Sequence, residues 1–380
     1  MKILFLTPGC FDKGGISRYN RYQIKSLMEI YGAEKVRVLS LFGPGADNLK
    51  DEFKVHWHGR SNDIFSKAGF LFTIFIQSLF WRPDFIFIAH VNFSGFAWMY
   101  SKICGAKTVL NIYGLEIWGH LSGDAKMGFK KVDEVIADCH YTAQYAEDHG
   151  WRKKATIKVI WDCVDLQQFR SRPDQWNLIQ KKYSLPDRNQ HFIILSLGRL
   201  SRDAAYKGYE RLLEVFSIIN KRHPSAKLIY AGKGDMIPML KEQAKKLNVD
   251  DSVFFTGSIP EEEMAGLYSY SHLFSLISHR DQDSGEGIPL TPLEAMACSV
   301  PVLVGNQDGS QEAVFENRNG FILNPFDLAS HEICINSVIE NKALQKSMSI
   351  EARKLVEQYF SYSEFKEKYS AFILSCQNNN

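Results

Sequence analysis

Gly285-Glu286-Gly287-Ile288-Pro289-Leu290-Thr291-Pro292-Leu293-Glu294-Ala295-Met296-Ala297 reads as a loop that runs straight into a helix. Thr291 is a good N-cap residue, and Pro292 suits the first helical position, where a missing N–H costs nothing. An apolar run at 273–278 precedes this stretch and another at 300–305 follows it, so strand, loop, helix and strand succeed one another as in a parallel α/β sheet. Two acids bracket the helix start. Glu286 stands in the loop and Glu294 in the first turn, and the free N–H groups and positive dipole end between them can hold an anion. An anion with hydroxyl-bearing rings on both sides, as in a sugar nucleotide, would meet one carboxylate at each ring. The alternative is that Glu294 only completes a capping box with Thr291.

Working outward, the alternation continues in both directions. Ahead of the stretch lie strands at 191–197, 226–231 and 252–256, with helices at 207–221, 236–247 and 261–269. Beyond it follow a helix at 311–316, a strand at 321–323 and three closing helices. The first half carries its own series, with strands at 2–7, 36–42, 53–57, 85–89, 107–112, 134–137 and 157–160. After the first strand comes Pro8-Gly9-Cys10-Phe11-Asp12-Lys13-Gly14-Gly15, and then a helix whose Ile24, Leu27, Met28 and Tyr31 share one face up to Gly32. Between the series, 171–188 is polar and broken by Pro173 and Pro186, which predicts a linker. Two doubly wound α/β domains are therefore expected, at 1–170 and 189–360.

A chain of 380 residues is long for one core and suits two. Its seven cysteines are scattered with no C-x-x-C pair, which argues for reduced thiols in a cytosolic protein and against a zinc cage or disulfide frame. The opening Met1-Lys2-Ile3-Leu4-Phe5-Leu6-Thr7 reads as a first strand and not as a signal peptide. Residues 1–170 carry 22 Lys and Arg against 17 Asp and Glu, a balance compatible with anionic lipid headgroups and too weak for nucleic acid. Ile64–Trp81 holds one charge, Lys67, among many aromatic residues. It is shorter than the roughly 20 apolar residues of a span. It reads as a crossover helix with more apolar surface than its sheet can cover, either wholly core or with a strip left for a membrane or lipid acceptor.

The strand ends of the second series carry the chemistry. Arg199, in Gly198-Arg199-Leu200, and Lys207, eight residues on, could grip a diphosphate as planar fork and point charge. Ala231-Gly232-Lys233-Gly234-Asp235 contains G-x-G but has Ile237 where the dinucleotide fingerprint needs its third glycine, which speaks against a nicotinamide-dependent oxidoreductase. Small residues in Phe255-Thr256-Gly257-Ser258-Ile259-Pro260 let a base lie against backbone near Ile259. In the first half, Gly14 and Gly15 permit close approach of a phosphate, and Glu116 follows the strand at 107–112, where open sheets bind ligands.

In order along the chain, Gly198-Arg199-Leu200, Tyr206-Lys207-Gly208, Ala231-Gly232-Lys233-Gly234-Asp235, Phe255-Thr256-Gly257-Ser258-Ile259-Pro260, the Glu286/Glu294 pair, Leu293-Glu294-Ala295-Met296-Ala297-Cys298, Pro301-Val302 and Asp308-Gly309-Ser310 resemble the blocks of retaining glycosyltransferases of family 4. The resemblance covers the second domain and reaches the first more loosely, through Gly14-Gly15 and the Gly114/Glu116 loop. It implies the GT-B fold, two Rossmann-like domains facing a cleft, with the closing helix at 361–376 returning to the first. It also implies a metal-independent hexosyltransferase, with no cofactor and a UDP- or GDP-sugar donor, serving a glycan or lipid-linked acceptor in surface polysaccharide synthesis. Arg199 and Lys207 would neutralise the leaving diphosphate, with Gly14-Gly15 closing over it. Glu286 would hold the transferred sugar, with Gly287, Ile288 and Leu290 offering backbone N–H groups. Glu294 would take the ribose and Gly232 and Ile259 would line the donor site, with Tyr113 and Glu116 on the acceptor side. Tyr113 stands where relatives often have histidine. Asp281-Gln282-Asp283 spells a metal motif but reads as a solvated loop. The resemblance places the protein in the cytoplasm with peripheral contact at the membrane; the rival reading is a catalytically silent scaffold of the same fold.

Overall fold

The computed structural model describes residues 1–11, 14–43, 52–59, 63–119, 121–281 and 284–378. They form two compact units, Met1–Cys163 with Tyr362–Asn380, and Val164–Ser361. Each is built on a parallel sheet, and nearly every strand is short, apolar and buried, as expected where helices cover both faces.

In the first unit the strands are β1 (Ile3–Thr7), β2 (Val36–Ser40), β3 (Val55–Trp57), β4 (Phe85–Ile88), β5 (Lys107–Ile112), β6 (Glu134–Ala137) and β7 (Ile157–Val159), in the order β3-β2-β1-β4-β5-β6-β7. The period-2 alternation of strand side chains divides them between two cores. Leu4, Leu6, Ile86, Ile88 and Leu110 face one core with Phe70 and Ile74 of the helix Ile64–Ile76. Ile3, Phe5, Phe85, Phe87 and Val109 face the other, with Tyr19, Ile24 and Leu27 of the helix Gly15–Tyr31. The helix Tyr362–Asn378 lies on this second face. It buries Phe365, Tyr369, Phe372 and Ile373, and the Tyr369 and Tyr19 hydroxyls are 2.7 Å apart.

The second unit holds β8 (Phe192–Leu197), β9 (Ala226–Ala231), β10 (Val253–Gly257), β11 (Leu273–Leu276), β12 (Val302–Gly305) and β13 (Gly320–Leu323), ordered β10-β9-β8-β11-β12-β13. The order reverses between β8 and β11, so the loops leaving these two neighbours diverge to opposite sides and open a crevice at their carboxyl ends.

Three expectations need correction. The stretch 171–188 is no linker but part of the second unit. Its short helix Trp176–Lys182 packs on the helix Glu261–Tyr270, the Trp176 indole N–H donates to Ser269 Oγ at 3.1 Å, and the Tyr183 hydroxyl donates to Glu263 at 2.6 Å. Polar sequence there reflects a helix with an exposed face. The helix at 311–316 is a 3-10 turn, Gly309–Ala313, started by Asp308 accepting the Ser310 N–H at 3.0 Å. The quoted acid-bracketed helix starts two residues early, at Leu290, with Pro289 in the cap position. Pro289 (φ −75°, ψ 140°) already has cap geometry, and Pro292 is tolerated in the first turn because the N–H it lacks would find no partner within the helix.

Candidate functional site

The loops leaving β8, β9, β11 and β12 are fastened to one another by backbone. Gly198 N–H donates to Ala231 at 3.0 Å, and Leu200 N–H to Lys233 at 2.8 Å. Gly232 sits at φ 133°, and a Cβ there would run into the carbonyl oxygen of Gly198. The glycine expected to touch the donor is thus needed by the fold itself. On the other side of the crevice, Glu286 N–H donates to Asp308 Oδ2 at 3.1 Å and Gly309 N–H donates to the Glu286 carbonyl at 2.9 Å, which holds Glu286 from both ends.

These anchors bring two expected residues together. The Lys207 ammonium, from the β8 loop, donates to Glu286 Oε1 of the β11 loop, and about 15% of each side chain reaches solvent. The stem of Lys207 passes over Gly198. Around the pair stand groups that sequence reasoning did not assign. The Tyr206 hydroxyl bonds to Glu286; burial first, then the Glu286 charge, push it far above the usual phenol range. The Tyr209 hydroxyl is buried against Gly198 with no hydrogen-bond partner among the described residues, raised by burial and Glu286 and lowered by the Arg199 charge. Asp308 is fully buried, and burial lifts its carboxyl to about 6 although Ser310 donates to it through both N–H and hydroxyl. Asp308-Gly309-Ser310 did carry a signal, since an acid two residues before serine in a glycine turn commonly caps its own backbone.

The other expected residues are more dispersed. Arg199 shares the β8 loop with Lys207 but pairs with Asp203 at 3.1 Å on the surface, where 62% of its side chain is exposed. Glu294 is 1% exposed and accepts the Tyr268 hydroxyl at 2.7 Å, in place of a capping box. Gly287 is half-buried, Ile288 and Leu290 buried at the helix start, and Ile259 half-buried just past β10. Of the D-x-D spelling, Gln282 and Asp283 lie outside the described residues, as do Asp12 and Lys13 ahead of Gly14.

In the first unit, Gly14 and Gly15 open the helix Gly15–Tyr31, and a Cβ on either would meet none of the described residues within 4 Å. Unlike Gly232, neither packs against another described residue. A cavity of about 490 Å³ lies at the carboxyl ends of β1, β2 and β4, the reversal point of this sheet, lined by Pro8, Phe42, Phe70 and Phe93 with Lys67 and Asp124 among its polar groups. Tyr113 and Glu116 are not part of its lining. Tyr113 is buried, its hydroxyl donating to Asn20 at 2.6 Å, and its N–H donates to Glu116 Oε1 at 2.6 Å. Glu116 Oε2 is buried without a partner among the described residues, and burial raises the carboxyl from 4.5 to about 7.

That shift has a stability consequence. The folded state holds the Glu116 proton up to about pH 7 whereas the unfolded chain releases it near 4.5, so stability falls as pH rises through this window. Glu116→Gln removes the penalty. Denaturant unfolding should show a gain of up to about 3 kcal/mol at pH 8 that shrinks severalfold by pH 5. An equal gain at both pH values would mean the carboxyl does not titrate in this window.

Residues 179–355 match the family model described as Glycosyl transferases group 1. The chain is 25% identical over 262 residues to the GDP-mannose-dependent alpha-(1-6)-phosphatidylinositol monomannoside mannosyltransferase of Mycolicibacterium smegmatis, covering 67% of this chain and 66% of that protein. It is 32% identical over 174 residues to the alpha-monoglucosyldiacylglycerol synthase of Streptococcus pneumoniae, covering 45% of this chain and 37% of the synthase. It thus spans less than two thirds of either relative. Among solved structures, Anabaena Alr3699/HepE in complex with UDP superposes with a TM-score of 0.81 at 19% identity, covering 99% of this chain and 100% of that one.

Proposed function

We propose that this chain, which has the GT-B fold and whose residues 179–355 match the group 1 glycosyl transferase model, is a hexosyltransferase that moves a sugar from a UDP- or GDP-sugar to a glycan or lipid-linked glycan. The observation that carries this reading is the Lys207–Glu286 pair at the reversal point of the second sheet, where open α/β sheets bind nucleotides. With no ligand, cation and carboxylate neutralise each other. An arriving diphosphate competes for Lys207, which frees Glu286 to accept hydroxyls of the transferred sugar. Arg199 joins by leaving Asp203, an exposed pair worth about 1 kcal/mol or less and so easily exchanged. The Tyr209 hydroxyl, buried and without a partner among the described residues, is a further donor toward the phosphate.

In this reading Glu294, oriented by Tyr268, takes the ribose, and Ile259 lies against the base. The diphosphate leaves on fixed cations, without a bound metal. Transfer proceeds with retention, the leaving phosphate taking the acceptor proton. The cavity beside β1 and β4 receives the acceptor in the first unit. Both relatives named above act on lipids by their names, which supports a lipid-linked acceptor at the cytoplasmic face of a membrane.

Calorimetry with UDP, GDP and ADP should give micromolar binding for one base and much weaker binding for the others, and turnover with the corresponding sugar nucleotides should follow the same order. Failure of all three nucleotides to bind would favour the silent scaffold.

A further inference from the structure

The helix following β3 has apolar residues all round, and the core takes only one side of it. Phe70 and Ile74 are fully buried and so is Ser78 one turn on, which marks an inward face at i, i+4 spacing. The others point to solvent: Ile64, Phe65, Phe72 and Phe80 are 75, 84, 64 and 74% exposed. The helix Ser94–Cys104 packs beside it and adds exposed Met99 and Ile103. By length and composition Ile64–Trp81 could cross a bilayer. Yet Phe70 and Ile74 bind it to the sheet along its length, and β4 begins four residues after its end, so it can only lie along a surface.

The charges beside this stripe are mainly cations. Ile64–Trp81 contains only Lys67 and Ser94–Cys104 only Lys102, with no acid in either. At the far end the Arg37 guanidinium stands 4.3 Å from the Trp81 ring centroid, the Lys2 ammonium donates to the Trp81 carbonyl at 2.9 Å, and Arg82 follows. The flanking acids are engaged: Asp63 accepts the Ser66 N–H at 2.8 Å as helix cap, and Asp84 accepts the Lys2 N–H at 2.6 Å. Exposed aromatic rings edged by Lys and Arg suit the boundary between acyl chains and anionic headgroups.

We infer that this surface docks on an anionic bilayer, with the helix in the interface plane, Phe65, Phe72 and Phe80 entering the acyl boundary, and Arg82 and Lys102 facing phosphates. A second copy of the chain fits less well, because a twofold interface sets a patch against itself and would oppose like charges. The inference sharpens the membrane placement proposed above but stands without any transferase activity.

The test is co-sedimentation with phosphatidylcholine vesicles, with and without phosphatidylglycerol. The protein should partition to the anionic vesicles, weaken at high salt, and lose about tenfold or more in partition as Phe65→Ser/Phe80→Ser. Those two side chains lie mostly outside the core, so an unchanged thermal transition serves as the control for folding. Arg82→Glu/Lys102→Glu should abolish the preference for anionic over neutral vesicles. Equal binding to both vesicle types, no binding, or an unaffected Phe65/Phe80 variant would overturn the inference. So would a dimer in sedimentation that this variant turns into monomer. Absent transfer activity with vesicle binding intact would count against the donor site alone.

Discussion

Lys207→Ala should lower kcat/KM for sugar transfer by two to three orders of magnitude while the protein still folds. The ammonium sits at the reversal point of the second sheet with only 15% of its side chain in solvent, held over Gly198 and aimed at Glu286. A preorganised cation in so dry a place, stabilising charge that grows on a departing diphosphate, is worth roughly 2.7–4 kcal/mol of barrier. The stability loss should be smaller, about 1–2 kcal/mol, since Glu286 loses its counter-charge but keeps some solvent. Glu286→Gln separates the roles: it should bind nucleotide as well as the parent does and lose its effect in kcat, because its carboxylate serves the sugar and not the phosphates. Near-normal turnover in Lys207→Ala, or loss of nucleotide binding in Glu286→Gln with Lys207 intact, would refute the assignment.

The largest stability effect is expected at Gly232. Its φ of 133° is closed to residues with a Cβ, and the added carbon of Gly232→Ala would run into the Gly198 carbonyl oxygen, which is backbone and cannot turn aside. Relief requires parting the loops after β8 and β9, at the expense of the Leu200-to-Lys233 and Gly198-to-Ala231 hydrogen bonds. A loss of about 4 kcal/mol or more follows, enough to leave much of the chain unfolded near 37 °C. Gly14→Ala is the contrast, because no other described residue lies within 4 Å of the new carbon. Its thermal midpoint should be close to that of the parent. Similar midpoints for the two variants, measured by calorimetry, would dismiss the distinction between a glycine the fold needs and one it merely contains.

The strands were legible because burial on both faces of a parallel sheet demands apolar residues at every position, as in Ile3–Thr7 and Phe192–Leu197. The loops at their carboxyl ends were therefore legible too, and with them Lys207 and Glu286. Orientation inside those loops was not. Arg199 and Lys207 are eight residues apart on one loop, yet one faces Asp203 and the other Glu286, a contact made 79 residues away in sequence. The helix at Leu290–Ala297 shows the same limit. Thr291 and Glu294 have the spacing of a capping box, but a proline already in cap geometry shifts the start, and the Tyr268 hydroxyl claims Glu294. Tyr206, though part of a quoted block, was given no role, and Tyr209 and Tyr268 were not singled out, because tyrosine in an α/β core is usually only bulk. Their role shows only once the hydroxyls are placed.

The return of Tyr362–Asn378 to the first sheet reverses the order in which the two units can be finished during translation. All of residues 164–361 are synthesised before Phe365, Tyr369, Phe372 and Ile373 are made, so until then β1, β4 and β5 keep part of one face uncovered. The amino-terminal unit, first to emerge, is last to close, and its exposed Phe5, Phe87 and Val109 present an aggregation hazard throughout that delay. A premature stop codon just after Ser361 would release a product whose second unit is intact and whose first unit is a target for chaperones and proteases.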